Sequence, residues 1–169
     1  KYLISPQKIN HPDLQFLNTL SLKQSRSVMD VNIYMLRNYM PRAWFVNKVI
    51  QNNENDIWKK MLDPSFDPLN IAYVEDRIDT KISNNAKIEN IDFQNDKISI
   101  KAKSSGSSFL VLSEVFYPLR WKVKINGNES KTLKVNNVIR GVILNDGENN
   151  INFYYDKSSF NMGILISII

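Results

Sequence analysis

The sequence predicts a mainly β chain, an antiparallel sandwich of the jelly-roll kind joined to a small α+β N-terminal part with one short helix. Three observations predict it. Strict polar/apolar alternation runs through Lys97–Lys103 and Arg120–Asn126, which is the two-residue period of a strand with one buried face. Turn dipeptides, Asn126-Gly127 and Asp146-Gly147, follow such runs; both read as hairpins, because Asn, Asp and Gly tolerate positive φ. The apolar runs recur about every ten residues, the spacing of sandwiches and barrels.

In the first half, Tyr2–Ile4, Val31–Leu36, Trp44–Ile50 and Ile71–Val74 are rich in β-branched and aromatic residues and read as strands. Residues 13–24 follow neither period and are assigned to no element. One helix is expected over Glu54–Leu62. Asn53 can cap it, Glu54 and Asp56 suit its positive end, and Ile57, Trp58, Met61 and Leu62 form one apolar stripe turned inward. Asp63-Pro64 stops it.

In the second half, Lys97–Lys103 puts Ile98, Ile100 and Ala102 on one face. Phe109–Phe116 is almost continuously apolar, as in a strand covered on both faces. Arg120–Asn126 turns Trp121, Val123 and Ile125 inward and Arg120, Lys122 and Lys124 outward. Leu133 and Val135, Val138–Leu144 and Ile151–Tyr155 continue the series, with Asn136-Asn137 as turn material.

Three parts follow. Residues 1–80 are a mixed α+β portion packed on the sandwich, and residues 81–161 are the antiparallel sandwich. Residues 162–169, Met-Gly-Ile-Leu-Ile-Ser-Ile-Ile, carry no charge. They suit either a last buried strand or the start of a transmembrane helix, anchored by Lys157, Tyr154, Tyr155 and Phe160. The chain begins at Lys1 with neither Met nor a signal pattern, as a piece cut from a longer protein would.

The 169 residues include no Cys and one His. That excludes disulfides, thiolate zinc, cysteine catalysis and any multi-histidine metal site. Net charge is +5, spread as ten basic and nine acidic residues up to position 80 and twelve against eight beyond it. That excess is mild, with no block of consecutive Lys or Arg, so no nucleic-acid partner is expected. His11, in Asn10-His11-Pro12-Asp13, would have to serve any Ser-His-Asp machine, yet reads as a surface loop residue. Asp63-Pro64-Ser65-Phe66-Asp67-Pro68 is the neatest carboxylate pair, and its Asp-Pro steps read as turn initiators. No catalytic residue, metal or cofactor is expected.

Two binding features remain. Lys97, Lys101, Lys103, Arg120, Lys122 and Lys124 would form a basic face if their strands share a sheet, able to meet anionic headgroups or polyanions. The plainer reading is a solvated face that discourages aggregation. Trp44, Trp58, Tyr117 and Trp121 could stack on sugars, although Trp58 and Trp121 fall on faces that read as core.

Two stretches resemble the carboxyl-terminal extracytoplasmic region of YfhO-like bacterial membrane proteins, polytopic proteins related to the GT-C class of lipid-sugar-dependent glycosyltransferases. Val31-Asn32-Ile33-Tyr34 leading to Met40-Pro41-Arg42-Ala43-Trp44-Phe45-Val46 is similar to "YxN…LPRA-aromatic-x-V", and Asp63–Pro68 to "DPxFDP". Val111–Trp121 is similar to "LVLSExYYPGW", with Leu119-Arg120 in place of the expected turn. Ile125-Asn126-Gly127 and Val138-Ile139-Arg140-Gly141-Val142 follow in the order "VDGK…FRAV". Gly147-Glu148 with Phe153-Tyr154-Tyr155 resembles "AGEHxVxFxY".

The resemblance implies a non-catalytic extracytoplasmic domain of a membrane-embedded glycosyltransferase-like protein. Such a domain would help to hold an acceptor or glycan during glycosylation of a cell-envelope polymer. The alternative is a freestanding carbohydrate-binding module. The implied partners are the parent's own transmembrane region, cell-envelope glycan and anionic lipid headgroups. Arg42, Trp44, Tyr117 and Arg120 are the candidate glycan- or surface-binding residues.

Overall fold

In the computed structural model, which describes residues 1–24, 27–83 and 85–168, the chain is mainly β, as its sequence predicts. It divides into two compact units, Lys1–Pro41 and Arg42–Ile169. The boundary lies after Pro41 rather than near residue 80, because the strands that follow Pro41 pair into the sandwich.

The first unit is a three-stranded antiparallel sheet in the order β1-β3-β2, of β1 (Tyr2–Ser5), β2 (Leu14–Gln24) and β3 (Ser27–Leu36). The unassigned segment is therefore a strand. Its register slips between Phe16 and Asn18, so Leu14 and Phe16 face one way and Leu20 and Leu22 the other, although all four share one parity in sequence. His11 sits in the connection before β2, where its Nδ1 accepts the Asp13 N–H at 3.2 Å.

The second unit holds two sheets. Five strands run β11-β10-β14-β8-β7: β7 (Ala86–Phe93), β8 (Lys97–Ser104), β10 (Trp121–Ile125), β11 (Asn128–Ser130) and β14 (Gly147–Tyr155). Six run β4-β9-β13-β12-β6-β5: β4 (Ala43–Val46), β5 (Lys48–Gln51), β6 (Ile71–Val74), β9 (Ser108–Val115), β12 (Leu133–Val135) and β13 (Ile139–Leu144). Alternate residues of both sheets meet in one core of Ile98, Ile100, Ala102, Val123, Ile151 and Phe153 against Ala43, Leu110, Leu112, Val142 and Leu144.

The expected single strand Trp44–Ile50 is two. Its halves pair with β9 at one edge of the six-stranded sheet and, in parallel, with β6 at the other. The sheet thus curls until its edges meet at Asn47, whose N–H is taken by the Asn70 carbonyl at 3.0 Å. Phe109 and Val111, out of phase with Leu110 and Leu112, are equally buried, so β9 is covered on both faces. Gly141 is required there: a Cβ on it would fall 2.7 Å from the Phe109 ring and 2.9 Å from Val135.

Asn126-Gly127 forms the expected two-residue hairpin between β10 and β11, with φ of 51° and 86°. Asp146-Gly147 does not form one: β13 and β14 belong to different sheets, so this turn is a crossover. Helix α1 (Glu54–Met61) starts at Asn53, whose side chain accepts the Asp56 N–H at 3.0 Å. It buries Ile57, but Trp58 is 45% exposed, against expectation.

Residues Ser158–Ile168 form helix α2, so residues 162–168 are helical and not a last strand; Ile169 lies outside the described residues. The Asp156 carboxylate accepts the Ser158 N–H at 2.9 Å at its start, satisfying a helix-terminal donor. No helix among the described residues is long and apolar enough to cross a membrane.

Candidate functional site

A cleft of about 430 Å³ opens in the second unit, lined by Asp76, Phe116, Pro118, Trp121, Lys122, Ser130, Lys131 and Thr132. The turn after β9 builds one wall: the Tyr117 carbonyl accepts the Arg120 and Trp121 N–H groups at 3.3 and 2.9 Å, which closes Tyr117–Trp121. Lys122 donates to the Pro118 carbonyl at 2.7 Å across that turn. Segment 130–132 between β11 and β12 brings the Ser130 and Thr132 hydroxyls, and the connection after β6 brings Asp76, paired with Lys131. An indole beside a carboxylate, two ammonium groups and two hydroxyls is the mixture that stacks on the apolar face of a polar ring and bonds its rim.

Behind Trp121 the sandwich core ends in a charged layer. Arg140 of β13 points inward, 2% exposed, with its guanidinium 4.6 Å from the Trp121 ring centroid and 5.7 Å from that of Phe153. Its Nε and Nη1 are buried without a hydrogen-bond partner among the described residues. Burial lowers its pKa, and the Glu114 carboxylate works against that shift. Glu114 comes close because β9 bulges opposite the Ile139/Arg140 step. The same carboxylate accepts from Arg42 Nη2 at 2.5 Å, and the Arg42 guanidinium lies 3.5 Å from the Phe93 ring centroid. Trp121 meets Tyr155 edge to face at 6.0 Å.

The four residues singled out in the sequence separate. Tyr117 and Arg120 share the turn that walls the cleft. Arg42 belongs to the charged layer. Trp44 is 7% exposed, its indole N–H held by the Pro68 carbonyl at 2.9 Å, so its ring offers no open face. Asp63 and Asp67 act as turn formers. Asp63 accepts the Ser65 hydroxyl and N–H, and Asp67 the Asn70 amide and Leu69 N–H, which hold both carboxyls below their usual range.

Asp76, Ser130, Lys131 and Thr132 were not legible as a site, since no local pattern joins positions 54 residues apart. Arg140 stands in one of the stretches that carry the family resemblance, and the alternation of β13 puts it in phase with the buried Val142 and Leu144, whereas the approach of Glu114 follows from the bulge of β9.

The lysines do share a face. In the five-stranded sheet Lys122 stands beside Tyr154 and Tyr154 beside Lys97; Lys101 faces Asn150; Lys103 lies between Glu148 and Lys87. Lys124 is 3.4 Å from Glu129, which also accepts the Tyr154 hydroxyl at 2.7 Å and so raises the Tyr154 pKa. Arg120 is not part of that face: it lies in the turn before β10 and donates to the Ser159 hydroxyl at 2.7 Å.

A family model described as bacterial membrane protein YfhO matches residues 60–167. No curated protein and no solved structure matches the chain.

Proposed function

This chain belongs to the YfhO family of bacterial membrane proteins, and from that we propose that it is a non-catalytic extracytoplasmic domain that holds a glycan acceptor for the membrane-embedded part of its protein. The cleft beside Trp121 carries this reading. Its indole supplies a stacking surface, and Asp76, Ser130 and Thr132 supply acceptors and donors for sugar hydroxyls. Tyr117 and Arg120 stand on the turn that forms one wall, which is tied to the sandwich through the Arg120 carbonyl, the acceptor of the Asp156 N–H at 2.7 Å. The lysine-rich face of the five-stranded sheet adds an outer surface for anionic envelope components.

Titration calorimetry of the 169-residue chain with cell-envelope oligosaccharides tests the reading. Binding is expected, with Asp76→Asn and Thr132→Val each weakening it about tenfold, the scale of one lost hydrogen bond to a charged or hydroxyl group. Absence of binding across a panel of envelope glycans, or binding indifferent to both substitutions, would overturn it.

A further inference from the structure

We propose that the end of the sandwich where α2 is rooted rests on the headgroup layer of an anionic phospholipid bilayer. The inference stands on surface chemistry and family membership, not on the glycan reading.

Helix α2 is tied to that end at several points. The Asp156 N–H donates to the Arg120 carbonyl at 2.7 Å, Arg120 Nη1 donates to the Ser159 hydroxyl at 2.7 Å, and Lys157 donates to Asp96 at 2.5 Å. Beyond this root α2 carries no charge and exposes Phe160, Met162 and Ile166. Around the root the sandwich exposes further large apolar side chains. Leu119 at the tip of the turn is 73% exposed and Val115 at the end of β9 is 64% exposed, with Tyr117, Val138 and Tyr155 also open.

They are one neighbourhood. Val115 pairs with Ile139, Phe116 N–H donates to the Val138 carbonyl at 2.8 Å, and Tyr155 pairs with Trp121. Interspersed are Arg120, Lys122 and Lys157, against Asp96 and Asp156.

Scattered single apolar residues on a surface need no explanation, but a contiguous set does. Aromatic and aliphatic tips among Arg and Lys, continuous with an uncharged apolar helix, are the composition that settles at a membrane–water interface. The excess of cations selects anionic headgroups. All of these residues lie within the stretch matched by the membrane-protein family, which favours a bilayer over a second protein as the occupant.

The test is co-sedimentation of the 169-residue chain with vesicles of mixed phosphatidylglycerol and phosphatidylcholine, and with phosphatidylcholine alone. Tighter partitioning to the anionic vesicles is expected. Leu119→Glu and Val115→Glu, both at exposed positions, should each reduce it about tenfold, as for withdrawing one apolar side chain from an apolar layer. Because α2 alone could hold the chain to lipid, Ile166→Asp is compared in parallel. Loss with Ile166→Asp but none with Leu119→Glu would overturn the proposal, as would equal partitioning to both vesicles or none at all. A Leu119→Trp variant adds a direct reading: brominated lipids should quench it more than the wild-type chain, and equal quenching would count against the proposal. Glycan binding by Val115→Glu, which lies outside the cleft's turn, should be unchanged when measured without vesicles, so failure of one reading leaves the other standing.

Discussion

Arg140 faces Trp121 across the end of an otherwise apolar core, guanidinium to ring centroid 4.6 Å, with buried N–H groups that no acceptor among the described residues meets. A cation–π contact partly offsets the lost hydration, and the Glu114 carboxylate supplies the opposing charge. Glu114 therefore serves two arginines, Arg42 by a hydrogen bond and Arg140 through the field.

This arrangement predicts an asymmetry. Glu114→Gln should cost about 1–3 kcal/mol of stability, because it leaves Arg140 buried without an opposing charge. Arg140→Met should be neutral or stabilising, since a buried ion is exchanged for an apolar chain of similar length. The double variant should recover much of the Glu114→Gln loss. Urea unfolding of the three variants measures the coupling; independent, additive effects would contradict it.

Gly141→Ala should destabilise by about 1–3 kcal/mol, the usual penalty of overpacking. The added methyl would meet the Phe109 ring and Val135 inside contact distance. A shift of the urea midpoint without change in slope checks it.

Asn53→Ala should cost about 1 kcal/mol by removing the cap of α1. Asn53→Ser, which keeps an oxygen for the Asp56 N–H, should restore most of it. Thermal melts of the pair decide the point.

Stability should fall on both sides of neutrality. Asp63, Asp67, Asp96 and Asp156 are held below their ordinary range: by the Ser65 hydroxyl, the Asn70 amide, the Lys157 ammonium and the Ser158 N–H respectively. A carboxyl whose folded pKa is depressed stabilises above its unfolded value, about 4, and that stabilisation disappears as pH falls through the folded value. Lys134 is raised by its bond to Glu75 and Tyr154 by its bond to Glu129. Their contributions are complete below their unfolded values, about 10, and are lost as pH rises through the folded ones. Urea midpoints should therefore be flat near neutrality and drop at both extremes, and Asp156→Asn should flatten the acid limb.

What could be read in advance was what near neighbours in sequence encode. The alternation of Lys97–Lys103 and of Trp121–Ile125, the Asn126-Gly127 hairpin and the Asn53 cap are each set within a few residues, and all stand as expected. Strand β7 escaped because its register shifts between Ile88 and Asn90, so Ile88, Ile91 and Phe93 lose their period of two. Trp58 reads as part of an inward stripe, yet α1 is short and buries only Ile57.

The sequence by itself determined the class and family of this chain: short strands with one or two apolar faces, joined by turn residues, in an order shared with a bacterial membrane-protein family. Only tertiary structure decided that β4 and β5 pair at opposite edges of one sheet, that Trp44 lies covered under Pro68, and that Trp121 meets Arg140 on one side while lining a cleft with Asp76 and Thr132. Periodicity records which face of a strand is apolar. It does not record which other face that one meets, because pairing depends on bulges, crossovers and chain closure among residues far apart in sequence.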